Sequence, residues 1–387
     1  MRKSSQKEEY KGFEQGPIRP PSEAYSLLIR VTRNCPWNKC KFCPVYKGER
    51  FSLRPVEHVK KDIDALHAYV QALREMSDDS GQISRADIDT YLAKLSGSDR
   101  QAFYAALHWY AAGMESVFLQ DANSMIIKPA EMKEILAHLR NCFPWIVRIT
   151  TYARSRTVSR ISDADLAAMA NAGLNRIHIG MESGSDAVLK MVRKGTGKQE
   201  HITAGRKVTA AGIQLSEYVM PGLGGRALSH THATETADAL NQINPDYIRV
   251  RTLAIPNTVP LFADYDSGRF EKLTDLEAAE EILLFLQHLE GIESKIRSDH
   301  ILNLFEEIEG KLPEDKDRMI GVVQRFLSMD PHDRMLYQIG RRLGHLRTLD
   351  DLENAQVRGQ LEELCREHGI TPENADEVIS EVMKRFI

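Results

Sequence analysis

Six short apolar segments, each followed by a helical pattern, constrain this chain more than any other feature. Residues 26–32 (SLLIRVT), 117–120 (VFLQ), 146–150 (IVRIT), 176–181 (RIHIGM), 215–220 (LSEYVM) and 247–253 (YIRVRTL) are aliphatic or β-branched and too short for helices. They read as buried strands. Between them apolar residues recur at helical spacing over 55–76, 129–141, 162–172, 185–194 with 198–211, and 229–242. Strands separated by helices pair in parallel, because the helix carries the chain back across the sheet. Six units predict an α/β fold, a partial (β/α)6 barrel of TIM type that is open on one side. Active sites of that architecture lie at the C-terminal ends of the strands.

The remainder of the chain divides around this core. Two further helical stretches, 85–95 and 99–112, exceed what one crossover needs and mark a helical insertion at about 80–112. Residues 1–23 are polar and punctuated by Pro20 and Pro21, and read as a loosely held arm. After 260 the strand signals stop, and helical patterns follow at 275–289, 300–309, 315–328, 331–343, 350–368 and 372–386. The expected division is an arm at 1–23, the barrel at 24–262 and an all-helical C-terminal extension at 263–387.

Composition narrows the class of protein. With 387 residues, 42% hydrophobic and 27% charged, the chain can bury a large core and has the balance of a globular protein. A net charge of −4 gives no general pull towards nucleic acid or an anionic membrane. The absence of an apolar run of about 18 residues or of a secretory leader points to a cytoplasmic protein. Cysteines there stay reduced, so their grouping speaks of metal chemistry rather than disulfides.

Three of the five cysteines, Cys35, Cys40 and Cys43, fall in one loop directly after the first strand, RVTRNCPWNKCKFCPVYKGERF. Thiolates at C-x4-C-x2-C spacing are soft ligands for an iron–sulfur cluster or for zinc. A structural zinc site needs a fourth ligand, which only Cys142, Cys365 or His58 could supply, and there is no second C-x2-C pair. Three thiolates leave one iron of a [4Fe-4S] cluster without a protein ligand, whereas an electron-transfer cluster carries a fourth cysteine.

This loop, its place after the first strand and the six-unit alternation resemble the radical S-adenosylmethionine (radical SAM) superfamily over about residues 24–255. Family members carry three cluster cysteines there with an aromatic residue before the third, here Phe42. The commonest family spacing is three then two residues, and here it is four then two, a departure that bears on subfamily more than on class. The resemblance implies an enzyme with two cofactors, a [4Fe-4S] cluster held by Cys35, Cys40 and Cys43, and S-adenosyl-L-methionine. In the family, the reduced cluster cleaves S-adenosylmethionine to methionine and a 5′-deoxyadenosyl radical, which abstracts hydrogen from substrate. It further implies an electron donor such as flavodoxin or ferredoxin.

Carried along the strands, the resemblance nominates further cofactor-binding residues. The second strand ends in LQDANS, where many members have a glycine-rich sequence. Gln120, Asp121 and Asn123 stand there, with a helix cap or turn as the competing reading. The fourth unit, RIHIGMESGSDAVLKMVRKG, places Glu182 and Ser183 at a strand end and Lys194 twelve residues on, with Arg193 as its rival and a solvated charge as the alternative. The fifth, LSEYVMPGLGG, brings Tyr218 and Met220 to the barrel mouth, and the sixth brings Leu253 and Ala254 near the adenine. Candidates to touch substrate are Tyr152 and Arg154 in ITTYARS, and Arg249 and Arg251, which alternate on one strand face. Two inward arginines need anionic partners; an exposed strand edge is the alternative.

Three other groupings invite simpler readings. His230 and His232, two apart near a helix start, do not share a face. His300, Asn303 and Glu306, at spacing three, would share one. Cys142 and Cys365 are isolated in sequence, which disfavours subfamilies with an auxiliary cluster. The leading expectation is therefore a single-cluster enzyme acting on a small molecule. The alternatives are radical modification of tRNA or protein, or a noncatalytic Fe–S or haem-binding protein on the same fold.

Overall fold

A computed structural model describes residues 8–383 and resolves them into two compact units. One unit comprises the chain up to Pro36, Gly48–His178 and Ala210–Gln214; the other comprises Trp37–Lys47, Ile179–Thr209 and the chain from Leu215 onward. None of the described helices is long and apolar enough to cross a membrane.

The first unit starts with strand β1 (Leu27–Arg30), then the short pair β2 (Thr32–Arg33) and β3 (Ser52–Leu53), which run antiparallel with Thr32 opposite Leu53. Helix α1 (Val56–Met76) follows Pro55. It buries Val59, Ile63, Leu66, Val70 and Leu73 completely, one stripe at helical spacing. Each such side chain contributes roughly 1.5–3 kcal/mol. The expected insertion is helical, as α2 (Arg85–Leu92) and α3 (Gly97–Ala111), and α3 packs on α1. Strand β4 (Ser116–Gln120), helix α4 (Pro129–Cys142), strand β5 (Arg148–Ala153), and helices α5 (Ser155–Val158) and α6 (Asp163–Asn171) complete the unit, with β1, β4 and β5 paired in parallel. Trp109 of α3, fully buried, donates from its indole to the Ser116 carbonyl at 2.8 Å and so anchors the helical insertion to the start of β4.

The described part of the N-terminal arm is firmly held, contrary to its reading as a loose segment. Glu14 receives Arg33 at 2.6 Å and Arg30 at 3.2 Å. Tyr10 donates to Asp62 at 2.8 Å, and Phe13 is buried. Burial pushes the Glu14 carboxyl up, but the Arg33 hydrogen bond and the charges of Arg54, Arg33 and Arg30 bring it below the ordinary range. A polar sequence conceals this because the anchoring is electrostatic rather than apolar.

Strand β6 (Arg176–Glu182) passes into the second unit at Ile179. There follow α7 (Asp186–Met191), α8 (Lys198–Ala210), β7 (Gln214–Val219), α9 (Gly225–Ile243), β8 (Tyr247–Val250), α10 (Pro260–Asp266) and α11 (Asp275–His288). Strands β7 and β8 pair in parallel, with Tyr218 opposite Arg249. The α/β class and the six strand–helix units match the expectation.

Beyond residue 260 the structure departs from an uninterrupted run of helices. Strand β9 (Lys295–Arg297) pairs in parallel with β8, and β10 (Gly310–Lys311) pairs antiparallel with β9. The stretch expected as a helix at 300–309 is irregular, and His300, Asn303 and Glu306 do not form a helical face. Instead, buried Asn303 caps the end of β8, donating to the Val250 carbonyl at 2.8 Å and accepting from the Thr252 N–H at 2.9 Å. Helices α12 (Lys316–Ser328), α13 (Pro331–Leu343), α14 (Ala355–Glu367) and α15 (Ala375–Met383) then follow.

Candidate active site

In the second unit the cysteine loop is fastened by its own backbone. Asn38 adopts a left-handed conformation (φ 45°), which asparagine tolerates. Its side chain donates to the Tyr46 carbonyl. The Lys47 ammonium donates to the carbonyls of Asn38 at 3.1 Å and Cys40 at 2.8 Å. Lys41 anchors the opposite side, through its N–H to the Val192 carbonyl at 2.9 Å and its ammonium to Asp264 at 2.6 Å. Trp37 donates to the Arg193 carbonyl at 2.7 Å and lies over Gly195, where a β-carbon would come within 2.3 Å of the ring. Only glycine fits there, since its φ of +72° is also left-handed.

Side chains nominated from separate strands converge on this loop. Cys40 and Phe42 pack in one apolar cluster with Met220, Leu253, Val192 and Leu223, against which Cys43 is half-buried. The Lys194 ammonium stands 5.7 Å from the Phe42 ring and 3.0 Å from Glu182. Glu182, at the end of β6, also has a positive φ of 67°. A non-glycine residue held in that region stores strain, which is concentrated at functional sites.

Sequence reasoning missed Glu217, in the middle of β7. It is fully buried, neither carboxylate oxygen makes a hydrogen bond of good geometry, and it shares the Lys194–Glu182 electrostatic environment. Burial raises its carboxyl well above the ordinary range, Glu182 adds to the rise, and Lys194 and the Met181 N–H oppose it. Burial thus favours the protonated form of the group, which can donate a hydrogen bond. The signal was present in LSEYVM, where an acidic residue shares a face with Leu215 and Val219.

The turn after β7 is built on a second buried carboxylate. Glu281 accepts from the Gly222 N–H and the Ser229 hydroxyl, both at 2.6 Å. His232 bridges the Met220 carbonyl at 3.0 Å and Ser183 at 2.8 Å. The two histidines do part company, His230 being exposed and His232 buried. Ser183 is fully buried in this network.

On β8, Arg249 is buried and reaches Asp299 at 2.7 Å and the Ser216 hydroxyl at 3.2 Å, which supplies the anionic partner such an arginine needs. Arg251 lies past the strand end and is exposed, so the two do not share a strand face. Tyr218, opposite Arg249 in register, is half-buried. Near Arg251, His300 is held down to about 4 from 6.5 by burial and by that guanidinium, with Asp299 opposing. Between pH 6.5 and about 4 the unfolded chain binds a proton that the folded chain does not, so stability falls as pH drops through this window. In His300→Gln, urea midpoints measured across that window should decline less steeply than in the parent; identical slopes would contradict this assignment.

In the first unit the nominated side chains are engaged by the chain itself. Asp121, fully buried, takes both the Nε and an Nη of Arg30 on one oxygen, at 3.2 and 2.9 Å, and the Asn34 N–H at 3.2 Å. Gln120 accepts from the Gly16 N–H at 2.8 Å and donates to the Ile18 carbonyl at 2.6 Å. Asn123 donates to Thr157 at 2.9 Å and accepts from the Arg154 N–H at 3.0 Å. Tyr152 packs edge-on against Phe118 at 5.0 Å. Cys35 is half-buried beyond β2. Asn34 beside it is left-handed (φ 65°) and donates to the Arg50 carbonyl at 2.7 Å.

Comparisons with known proteins bear on this arrangement. Residues 98–235 match the family model described as the Radical SAM superfamily, a span from α3 to α9 that includes β6 and β7 but not the cysteine loop. No curated protein matches the chain. Among solved structures, coproporphyrinogen III oxidase (HemN) from Escherichia coli is 14% identical over 68% of this chain and 52% of its own, with a TM-score of 0.45. Methylornithine synthase (PylB) is 15% identical over 71% and 66%, with a TM-score of 0.42. Elp3 from the archaeon Methanocaldococcus infernus, with an N-terminal deletion, is 16% identical over 48% of each chain, with a TM-score of 0.39. The chain thus spans between about half and two thirds of these structures' lengths. Residues 98–235 thus match a domain of the radical SAM superfamily, whose enzymes work with a [4Fe-4S] cluster and S-adenosylmethionine.

Proposed function

We propose that this protein is a radical SAM enzyme acting on a small molecule, with Cys35, Cys40 and Cys43 holding the cluster. Three reduced thiols on one loop are a suitable soft donor set for iron and leave one metal position for a ligand from outside the chain. A [4Fe-4S] cluster bound there would supply the electron that breaks the sulfonium bond of S-adenosylmethionine.

The chain's own residues provide binding, orientation and dryness. Phe42, Met220 and Leu253 form an apolar wall around Cys40 that excludes water from reactive species. The Lys194 ammonium suits a carboxylate and the Glu182 carboxylate suits an ammonium or ribose hydroxyl, so an amino-acid-like ligand can exchange for their mutual ion pair. In its protonated form, which burial favours, Glu217 offers a donor in the same electrostatic environment. Asp121, Gln120 and Asn123 serve in this reading to shape the β4 end, where their hydrogen bonds already lie. Electrons come from a small donor protein such as flavodoxin or ferredoxin.

The observation that carries the proposal is the gathering of Glu182, Lys194, Phe42, Met220 and Leu253 about Cys40. The test is electron paramagnetic resonance of the anaerobically reconstituted, dithionite-reduced protein, with and without S-adenosylmethionine. The expected result is a cluster signal whose g-values shift on adding the cofactor, together with 5′-deoxyadenosine in the mixture. A signal indifferent to S-adenosylmethionine, with no 5′-deoxyadenosine, would overturn it.

A further inference from the structure

On the outer side of the first unit, α1 and α4 bring three different ligand types to one point. Asp64 projects from α1, and His138 and Cys142, one turn apart, project from α4. The His138 Nε2 lies 2.7 Å from Asp64 Oδ1, the Cys142 sulfur 3.8 Å from that nitrogen and 3.9 Å from that oxygen. All three ligand atoms lie within 4.8 Å of one another. We propose that Asp64, His138 and Cys142 form a divalent metal site, selective for Zn(II), that clamps α1 to α4.

Geometry separates this from two simpler readings. A cysteine–histidine–aspartate relay uses both ring nitrogens, the carboxylate on one and the thiol on the other. Here Asp64 and Cys142 face the same nitrogen, so no proton can pass through the ring between them. An ion pair alone would join His138 to Asp64 and leave Cys142 without a reason to converge. The seam already has its own ion pair one turn earlier, Lys60 with Glu134 at 3.0 Å.

Tetrahedral zinc with bonds of about 2.0–2.3 Å separates its ligand atoms by roughly 3.3–3.8 Å. The sulfur–nitrogen distance of 3.8 Å lies at the upper edge of that range, the sulfur–oxygen distance of 3.9 Å is just beyond it, and the histidine–aspartate contact must open by roughly half an ångström. A thiolate with an imidazole and a carboxylate suits zinc and disfavours magnesium or calcium. Burial, and then the Asp64 charge, raise the Cys142 thiol. The free site therefore keeps its proton, and binding releases that proton to solvent while the sulfur–metal bond forms. Affinity accordingly rises with pH.

The test uses Co(II) as a spectroscopic probe in the full chain with Cys35, Cys40 and Cys43 changed to serine, which leaves Cys142 and Cys365 as the remaining thiols. A thiolate-to-Co(II) charge-transfer band should form, persist when Cys365→Ser is added and vanish when Cys142→Ser is added. His138→Asn should weaken Co(II) binding at least about tenfold. In the same chain with Cys35, Cys40 and Cys43 changed to serine, Zn(II) should raise the melting temperature, and adding Cys142→Ser should abolish that rise. No charge-transfer band while Cys142 is present, or the same band and the same Zn(II) response after Cys142→Ser, would overturn the proposal. Neither readout depends on the radical SAM reading of the cysteine loop.

Discussion

Replacing Cys40 by alanine will strip the reconstituted protein of its iron and of the brown absorbance, whereas Cys365→Ala will leave both unchanged. Cys40 is 9% exposed, sits in the apolar cluster with Phe42, and has its carbonyl gripped by Lys47. Its sulfur is therefore offered from a fixed backbone. Losing one of three thiolates leaves two irons without protein ligands, which a cube of four does not survive in water. Cys365 belongs to α14, far along the chain, where burial raises its thiol and keeps it inert. Iron and sulfide assays with the visible spectrum read the outcome. Equal loss in the two variants would remove Cys40 from the ligand set.

Glu217→Gln will stabilise the protein at neutral pH while weakening its response to S-adenosylmethionine. In the unfolded chain this carboxyl titrates near 4.5, and in the fold it is raised well above that. Above pH 4.5 the unfolded state loses a proton that the folded state keeps, so the parent loses stability as pH rises through that range. Glutamine carries no such proton. The variant should be the more stable of the two at pH 7, and its stability should stay level with pH where the parent's falls. Urea unfolding at several pH values measures this. A less stable variant with the parent's pH profile would show that Glu217 is ionised and paired. Stability gained at the expense of function is the pattern expected of a group kept in place for chemistry.

The parts of the fold legible in sequence were those with a strong apolar period. Strands β4 to β8 declare themselves as runs of aliphatic residues, and α1 by five buried positions at helical spacing. Strand β9 escaped because KIR has a single apolar residue, Ile296, between two exposed charges. The stretch 300–309 imitated a helix because Leu304, Phe305 and Ile308 are spaced like one, yet Ile301 points to solvent and Asn303 is taken up by the end of β8. Its hydrogen bonds are tertiary, and no local pattern encodes them.

The site divides along the same line. Phe42, Glu182, Met220 and Leu253 could be nominated because each occupies the end of a strand or the loop beside it, and Lys194, past the end of α7, by its spacing from Glu182. The ion pair of Asp121 could not be read from LQDANS, since its Arg30 partner lies ninety-one positions earlier. Glu217 was passed over because an acidic residue within a strand is ordinarily solvated, and only burial on both faces of β7 reveals otherwise. Cys142, isolated in sequence, acquires Asp64 and His138 as neighbours only once α1 and α4 pack.

The pairing of β9 along β8 has a consequence for the handling of this chain. Were it removed, β8 would present its N–H and C=O groups to solvent, an invitation to any other extended chain. Cutting the protein back to its six strand–helix units would therefore do more than shed helices, because it would bare a sticky margin and favour self-association over a clean, smaller monomer.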